Sequence, residues 1–275
     1  MYHFPIPPIY YSHPMRLFAL SDPHLAFGVP GRTMDRFGPE WKNHPEKIAA
    51  HWRATVGPRD VVAVPGDISW GKKLPVVMPD LEWLHDLPGI KVILRGNHDF
   101  WWPTNAILER ELPPSLRFVH NNHVTVGPYT FFGSRLWDTT EYSLVDLIAW
   151  DPMKGPVPAA NGLMAGVDEK KQEEIYEHEL QRLKMSLTGL PPRSGTGEGG
   201  VRIALTHYPP LDHLLTPSRV SRLFAEVGAR HVIFGHLHAV KPEWKGRAFG
   251  TLGETTYHLT SCDYLDFKPK LICEA

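Results

Sequence analysis

Cysteine is nearly absent: Cys262 and Cys273 are the only two in 275 residues. That is too few for a disulfide framework and favours a reducing, cytoplasmic setting. An excess of charge is missing as well. The 29 Lys and Arg stand against 30 Asp and Glu, a formal net charge of −1. Such a balance excludes a broad electrostatic grip on long nucleic acid or an anionic membrane. No apolar run approaches the roughly 20 residues of a spanning helix, so no membrane partner is expected. The Gly-rich stretch Ser194 to Gly200 lacks the spacing and the following helix of a phosphate-cradling loop. Residues 1–14, rich in Pro and Tyr, lack the basic start and apolar block of a signal peptide and read as a peripheral extension. Residues 15–275 then form a single domain, with no linker or internal repeat.

The chain does have apolar runs that end in polar clusters. Leu17 to Leu20 runs into Ser21-Asp22-Pro23-His24, and Val61 to Val64 into Pro65-Gly66-Asp67. Lys91 to Leu94 leads to Arg95-Gly96-Asn97-His98-Asp99, Val201 to Leu205 to Thr206-His207-Tyr208, and Val232 to Phe234 to Gly235-His236-Leu237-His238. Each run reads as a buried strand. Helices fit between the first three. One has Asn43 as N-cap, Pro45 in the first turn, Glu46 three residues on, and Ile48, Trp52 and Val56 on one face. The next, within 74–87, turns Leu81, Leu84 and Leu87 inward. Alternating strands and helices predict a parallel sheet whose ligands gather beyond the carboxyl ends of its strands.

Further on, 104–111 suggests a short helix. Arg117 to His120, Val124 to Val126 and Tyr129 to Gly133 read as an antiparallel meander. Residues 134–166, with Trp137, Asp138, Trp150 and Asp151, read as a loop over the site that governs selectivity. Asp168 to Leu187 is a charged helix with Tyr176, Leu180, Leu183 and Leu187 as its apolar stripe. Thr216-Pro217 opens another, with Val220, Leu223, Phe224 and Val227 on one face. Strands at 255–260 and 270–273 complete a second sheet. Phe100, Trp101 and Trp102 read more readily as packing, with one ring lining the substrate cleft as the alternative. Of the 16 histidines, five lie in the polar clusters; the others, His44 and His178 among them, read as surface or packing residues.

An isolated Asp-x-His is most often an Asx-turn beside a surface histidine. Here Asp22, His24, Asp67, Asn97, His207, His236 and His238 together offer two carboxylates, an amide and four imidazoles at strand ends. One ion takes about four to six ligands, so the set suits two divalent ions sharing a carboxylate. Mixed oxygen and nitrogen donors fit Mn, Fe, Zn or Co better than Mg or Ca, with Mn2+ the first expectation. Dioxygen chemistry is set aside, because the paired helical Glu-x-x-His motifs it uses are absent.

In this order, Asp-x-His, Gly-Asp, Gly-Asn-His-Asp, a lone His after a strand and Gly-His-x-His resemble the calcineurin-like metallophosphoesterases. The likeness runs from Arg16 to about Cys273. The Phe37-Gly38-Pro39 and Asn97-to-Trp102 segments are similar to a bacterial subgroup of phosphohydrolases. The resemblance implies an α/β, four-layer α-β-β-α sandwich of two mixed β-sheets packed face to face with flanking helices. It puts Asp22, His24 and His238 on one metal and Asn97, His207 and His236 on the other, with Asp67 bridging. It makes His98 the acid beside the leaving group and Asp99 the carboxylate that orients it. Pro23 departs slightly from the usual pattern without removing a ligand.

A bridging water, deprotonated near neutral pH, would then attack a phosphoester in line. Arg95 and Tyr208 flank the clusters and are candidates for contact with phosphate, although a structural salt bridge is the stronger expectation for Arg95. The expected substrate is a small phosphodiester or phosphomonoester, a nucleotide among the options. A non-catalytic scaffold of the same fold would be expected to have lost ligands or His98, and this chain keeps them.

Overall fold

The computed structural model describes residues 14–149, 168–191 and 200–275. The expectations for residues 1–13, for Trp150 and Asp151, and for the loop from Ser194 fall outside the described residues, save that Gly200 lies just inside. Two sheets carry the fold. In the first, β1 (Arg16–Ala19), β2 (Val61–Pro65), β3 (Ile90–Leu94) and β4 (Leu116–Val119) run parallel, and β11 (Lys270–Glu274) pairs antiparallel with β1 at the edge. In the second, β6 (Tyr129–Gly133), β7 (Val201–Leu205), β8 (His231–Phe234) and β10 (Thr255–Leu259) are parallel. Its antiparallel edges are β5 (Val124–Val126) and β9 (Thr251–Leu252).

Alternation along the strands builds the layers. Leu17, Ala19, Val61, Ala63, Val92 and Leu94 face Phe131, Ile203, Leu205 and Ile233 in a core between the sheets. Their neighbours Phe18, Val62, Val64 and Ile93 point the other way, against α1 (His44–Thr55), α2 (Leu74–His85) and α3 (Asn105–Glu111) through Ile48, Trp52, Leu81, Leu84 and Leu108. Ala204, Val232 and Phe234 do the same toward α4 (Glu169–Leu187) and α5 (Arg219–Glu226), meeting Tyr176, Leu180, Leu183, Val220 and Phe224. The result is the four-layer arrangement expected from the sequence.

Lys91 is fully buried on the helix-facing side of β3. Its ammonium donates to the carbonyls of Leu87 at 2.5 Å, Gly89 at 2.9 Å and His85 at 3.2 Å. It thereby satisfies the last carbonyl of α2 and two in the turn that follows it.

Three expectations are corrected. Residues 116–119 do not start a meander: β4 extends the first sheet in parallel, and only β5 and β6 form a hairpin. The strand at 270–274 closes the first sheet against β1, not the second. Short apolar runs look alike whichever way they pair, because the partner strand is distant in sequence. Asn43 precedes α1 in a left-handed conformation (φ 54°) and its side chain caps nothing. The capping box falls instead at Ser218 and Ser221 of α5, after Thr216-Pro217.

Candidate functional site

The carboxyl ends of β1, β2 and β3 meet those of β7, β8 and β10 at one end of the sandwich. A stitch between the sheets aligns them. Ser21 bridges Ser261, Ser21 N–H donates to Thr260 O at 2.8 Å, and Cys262 N–H donates to Ser21 O at 3.0 Å. The turns are tight: Asp22, His24, Asp67 and His236 all have positive φ, at 57°, 44°, 52° and 69°. Non-glycine residues held there store strain, a recurrent feature of functional sites. At Gly235 a Cβ would lie 2.1 Å from Asp22 Oδ2, so only glycine lets this loop close on the carboxylate.

Asp22 is fully buried. Its carboxylate accepts from Ser21 Oγ at 2.5 Å and from His236 N–H at 3.1 Å. His238 Nε2 lies 3.7 Å from its Oδ1. His24 Nε2 faces His238 Nε2 at 3.2 Å. Asp67 sits between the two halves of the cluster: Oδ2 is 3.7 Å from His24 Nε2, and Oδ1 is 3.4 Å from His207 Nε2. Asn97 Oδ1 lies 2.7 Å from His207 Nε2 and 3.3 Å from His236 Nδ1.

These seven side chains fit divalent metal. Asp22, His24 and His238 form one group, and Asp22, Asp67 and His207 another, with ligand atoms within 4.8 Å of one another in each. His207 Nδ1 reaches Pro65 O at 2.9 Å, which assigns its proton there. Its Nε2 lone pair then points at the oxygens of Asn97 and Asp67, acceptor against acceptor, an arrangement that a cation resolves. His24 Nδ1 is buried and has no hydrogen-bond partner among the described residues.

The electrostatics agree. Burial, outweighing His238 and the hydrogen bonds, raises Asp22 to about 6. Burial, then Asp22 and Asp99, pushes Asp67 well above the usual carboxylate range. Burial holds His24 and His207 far below the ordinary imidazole value, and it lowers His236 to about 3. For His238, burial works downward, but Asp263, Asp22 and Asp67 outweigh it and raise the ring to about 9. Two buried carboxylates beside three imidazoles held neutral, with only His238 carrying a proton, make a costly set unless further positive charge joins them.

His98 is partly exposed, with Nε2 4.0 Å from Asp67 Oδ2 and its backbone N–H donating to Asp67 Oδ1 at 2.8 Å. Asp99 does not orient that ring. Its oxygens accept from the N–H groups of Ile68, Ser69 and Gly96 and from the Trp101 indole, at 3.0, 3.2, 2.8 and 2.9 Å. Asp99 therefore fixes the loop that carries His98, because its buried carboxylate is already taken up by backbone donors. Arg95 makes no salt bridge among the described residues, and its Nε donates to Asp99 O at 3.3 Å. Tyr208 is buried, with its ring over His236 at a centroid distance of 3.9 Å. Trp101 and Trp102 are core residues, whereas Phe100 is 60% exposed and its ring lies 6.4 Å from His98.

Sequence reading missed Asp263, which holds His238 Nδ1 at 2.8 Å. It also missed Trp70, which stacks on His24 at 5.0 Å and meets His98 at 4.6 Å. Neither carries a local signal in the sequence. His44 is not a surface residue. It is buried, and its Nε2 pairs with Pro23 O at 2.9 Å, bracing the first ligand loop. His178 is exposed, as expected.

Comparison with known proteins adds the following. The gene 66 protein of Mycobacterium phage D29 is 37% identical over 79 residues, 29% of this chain and 38% of that protein. The chain thus matches little more than a third of that relative's length. The structure of phosphopantetheinyl hydrolase (PptH) from Mycobacterium tuberculosis aligns with a TM-score of 0.53 at 15% identity, over 94% of this chain and 96% of that one. It shares the fold. The model of the calcineurin-like phosphoesterase family matches residues 15–240. Since that match runs from β1 through the loop carrying His236 and His238, the chain belongs to the calcineurin-like phosphoesterase family.

Proposed function

We propose that the chain hydrolyses small phosphomonoesters or phosphodiesters at a binuclear metal centre. Family membership carries metal-dependent phosphoester hydrolysis in general. Asp22, His24 and His238 would hold one divalent cation, and Asn97, His207 and His236 the other, with Asp67 shared. The observation that carries this is the orientation of Asp67, whose two oxygens face His24 and His207 on opposite sides. Mn2+ is the first choice of metal, since the donor set mixes imidazole with carboxylate and amide oxygen.

When bound, the metals supply Lewis acidity toward the phosphoryl oxygens and make water a competent nucleophile near neutral pH. The residues of the chain do the rest. Asp263 and Pro65 O fix the faces that His238 and His207 present. Asp99 anchors the loop from Gly96 to Trp101, so His98 stays beside Asp67 at the open side of the cluster. His98 is the group placed to give a proton to the departing oxygen. Trp70 and Phe100 flank it and offer apolar walls to the leaving group.

The experiment is to chelate the protein, reload it with Mn2+, and measure metal content and hydrolysis of aryl phosphate mono- and diesters on one sample. Two metals per chain with restored turnover is the expected result. Two metals with no turnover on either aryl ester would favour a narrow substrate or a non-catalytic scaffold. In His98→Ala, metal should stay bound while turnover falls, most for poor leaving groups; equal slowing across leaving groups would remove the acid role.

A further inference from the structure

Beside the metal-ligand cluster lies a second cleft of opposite character. It is lined by Arg95, Arg135 and Arg182 with His120, Ser134 and Glu179, and is a small cavity of about 20 Å³ that opens to solvent. Three guanidinium groups face one carboxylate among its described lining residues. Glu179 Oε1 accepts from Arg135 at 3.0 Å and lies 3.7 Å from Arg182 Nε. It neutralises one of the three charges, and Asp99 lies close enough to Arg95 to act on it. His120 adds no charge: burial, then Arg182, Arg95 and Arg135, bring it down to about 4. Its Nδ1 pairs with Asn105 Oδ1 at 2.9 Å, so its Nε2 accepts from Arg182 at 2.8 Å and fixes that guanidinium.

The cleft also holds unused hydrogen-bonding capacity. Ser134 is 4% exposed, and its Oγ has no partner among the described residues. Arg135 Nε is likewise buried without one. Buried donors of this kind are costly when unpaired, and the half-buried guanidinium groups beside them repel one another. An oxyanion answers both, since guanidinium forks match phosphate oxygens.

The cleft adjoins the metal-ligand cluster. Arg95 opens the loop that bears Asn97 and His98, and two residues span at most about 7 Å. Arg135 O accepts from the N–H groups of His207 and Tyr208 at 3.0 and 2.9 Å. Its guanidinium lies 4.5 Å over Trp137, whose ring meets Tyr208 at 4.8 Å.

We infer that the arginine cleft is a second anion site, and that the substrate carries a second phosphoryl group, a few bonds from the scissile ester, which the cleft holds. The inference rests on the phosphoester hydrolase reading and specifies its substrate class as bisphosphorylated small molecules.

The test compares propane-1,3-diol monophosphate with its bisphosphate on the full metal-loaded chain. The bisphosphate should show a KM at least about tenfold lower, the value of charge-assisted hydrogen bonds to one anion. In R135Q/R182Q that ratio should fall toward one. Equal KM values in the unsubstituted chain, or a ratio that survives the substitutions, would overturn the inference. Calorimetric titration of the bisphosphate needs no turnover: about tenfold weaker binding in the variant supports the cleft, and unchanged binding overturns it. Absent hydrolysis with intact binding would therefore count against the hydrolase reading alone. If inorganic phosphate occupies the cleft while the bisphosphate gains nothing over the monophosphate, the site takes a free ion and the substrate inference falls. Should the double variant unfold early, Arg182→Gln keeps the Arg135–Glu179 pair and should still lower the ratio about threefold; no change would count against the cleft.

Discussion

The two sheets furnish the site in different ways. Loops of the first sheet bring both carboxylates, and they hold them by backbone. Asp22 accepts from His236 N–H, Asp67 from His98 N–H, and both residues sit at positive φ. Loops of the second sheet bring three of the four imidazoles. Two of these are held by a second acceptor behind the ring: Pro65 O for His207 and Asp263 for His238. A carboxylate has two equivalent oxygens and needs its chain placed. An imidazole must also have its proton assigned, or it presents the wrong nitrogen. The first half is therefore set by loop conformation and the second by hydrogen-bond partners.

That contrast can be broken at its centre. Asp67→Asn removes the carboxylate proposed to be shared by both metals, and turnover should drop by at least about a thousandfold with loss of metal from both positions. Metal analysis and steady-state kinetics decide it; a variant with full activity would refute the shared carboxylate. On the second-sheet side, Asp263→Ala should weaken one metal about 10- to 100-fold, because His238 loses the acceptor that fixes its proton. Competitive chelator titration should then resolve a weak site and a tight one. Equal weakening of both would place Asp263 outside this role.

The smallest effect tests the loop side. His44→Leu removes the support of Pro23 O and should lower stability by about 1 kcal/mol, near 3 °C in Tm. Metal affinity should shift by only a few-fold, measured by the same titration. His178→Ala on the exposed face of α4 is the control and should change neither Tm nor metal content.

Much of this was legible in the chain. Buried parallel strands are continuous apolar runs, and polar residues directly after them have nowhere to go but the open strand ends. Asp22, His24, Asp67, Asn97, His207, His236 and His238 were all found by that logic. Asp263 was not, since Thr260-Ser261-Cys262-Asp263 is an ordinary polar turn until Ser261 meets Ser21 across the two sheets. Arg135 gave no signal either. It gains meaning only because β6 lies beside β7, which puts its carbonyl under His207.

The sequence by itself determined the strand ends, the donor types and their order along the chain, because hydrophobic periodicity and ligand chemistry are local properties. Only the tertiary structure decided the partners. It gave β4 and β11 their places in the first sheet, tied Asp99 to the backbone instead of to His98, gave His238 its Asp263, and set three arginines around one glutamate. Those choices depend on contacts between residues tens to hundreds of positions apart, which no local pattern encodes.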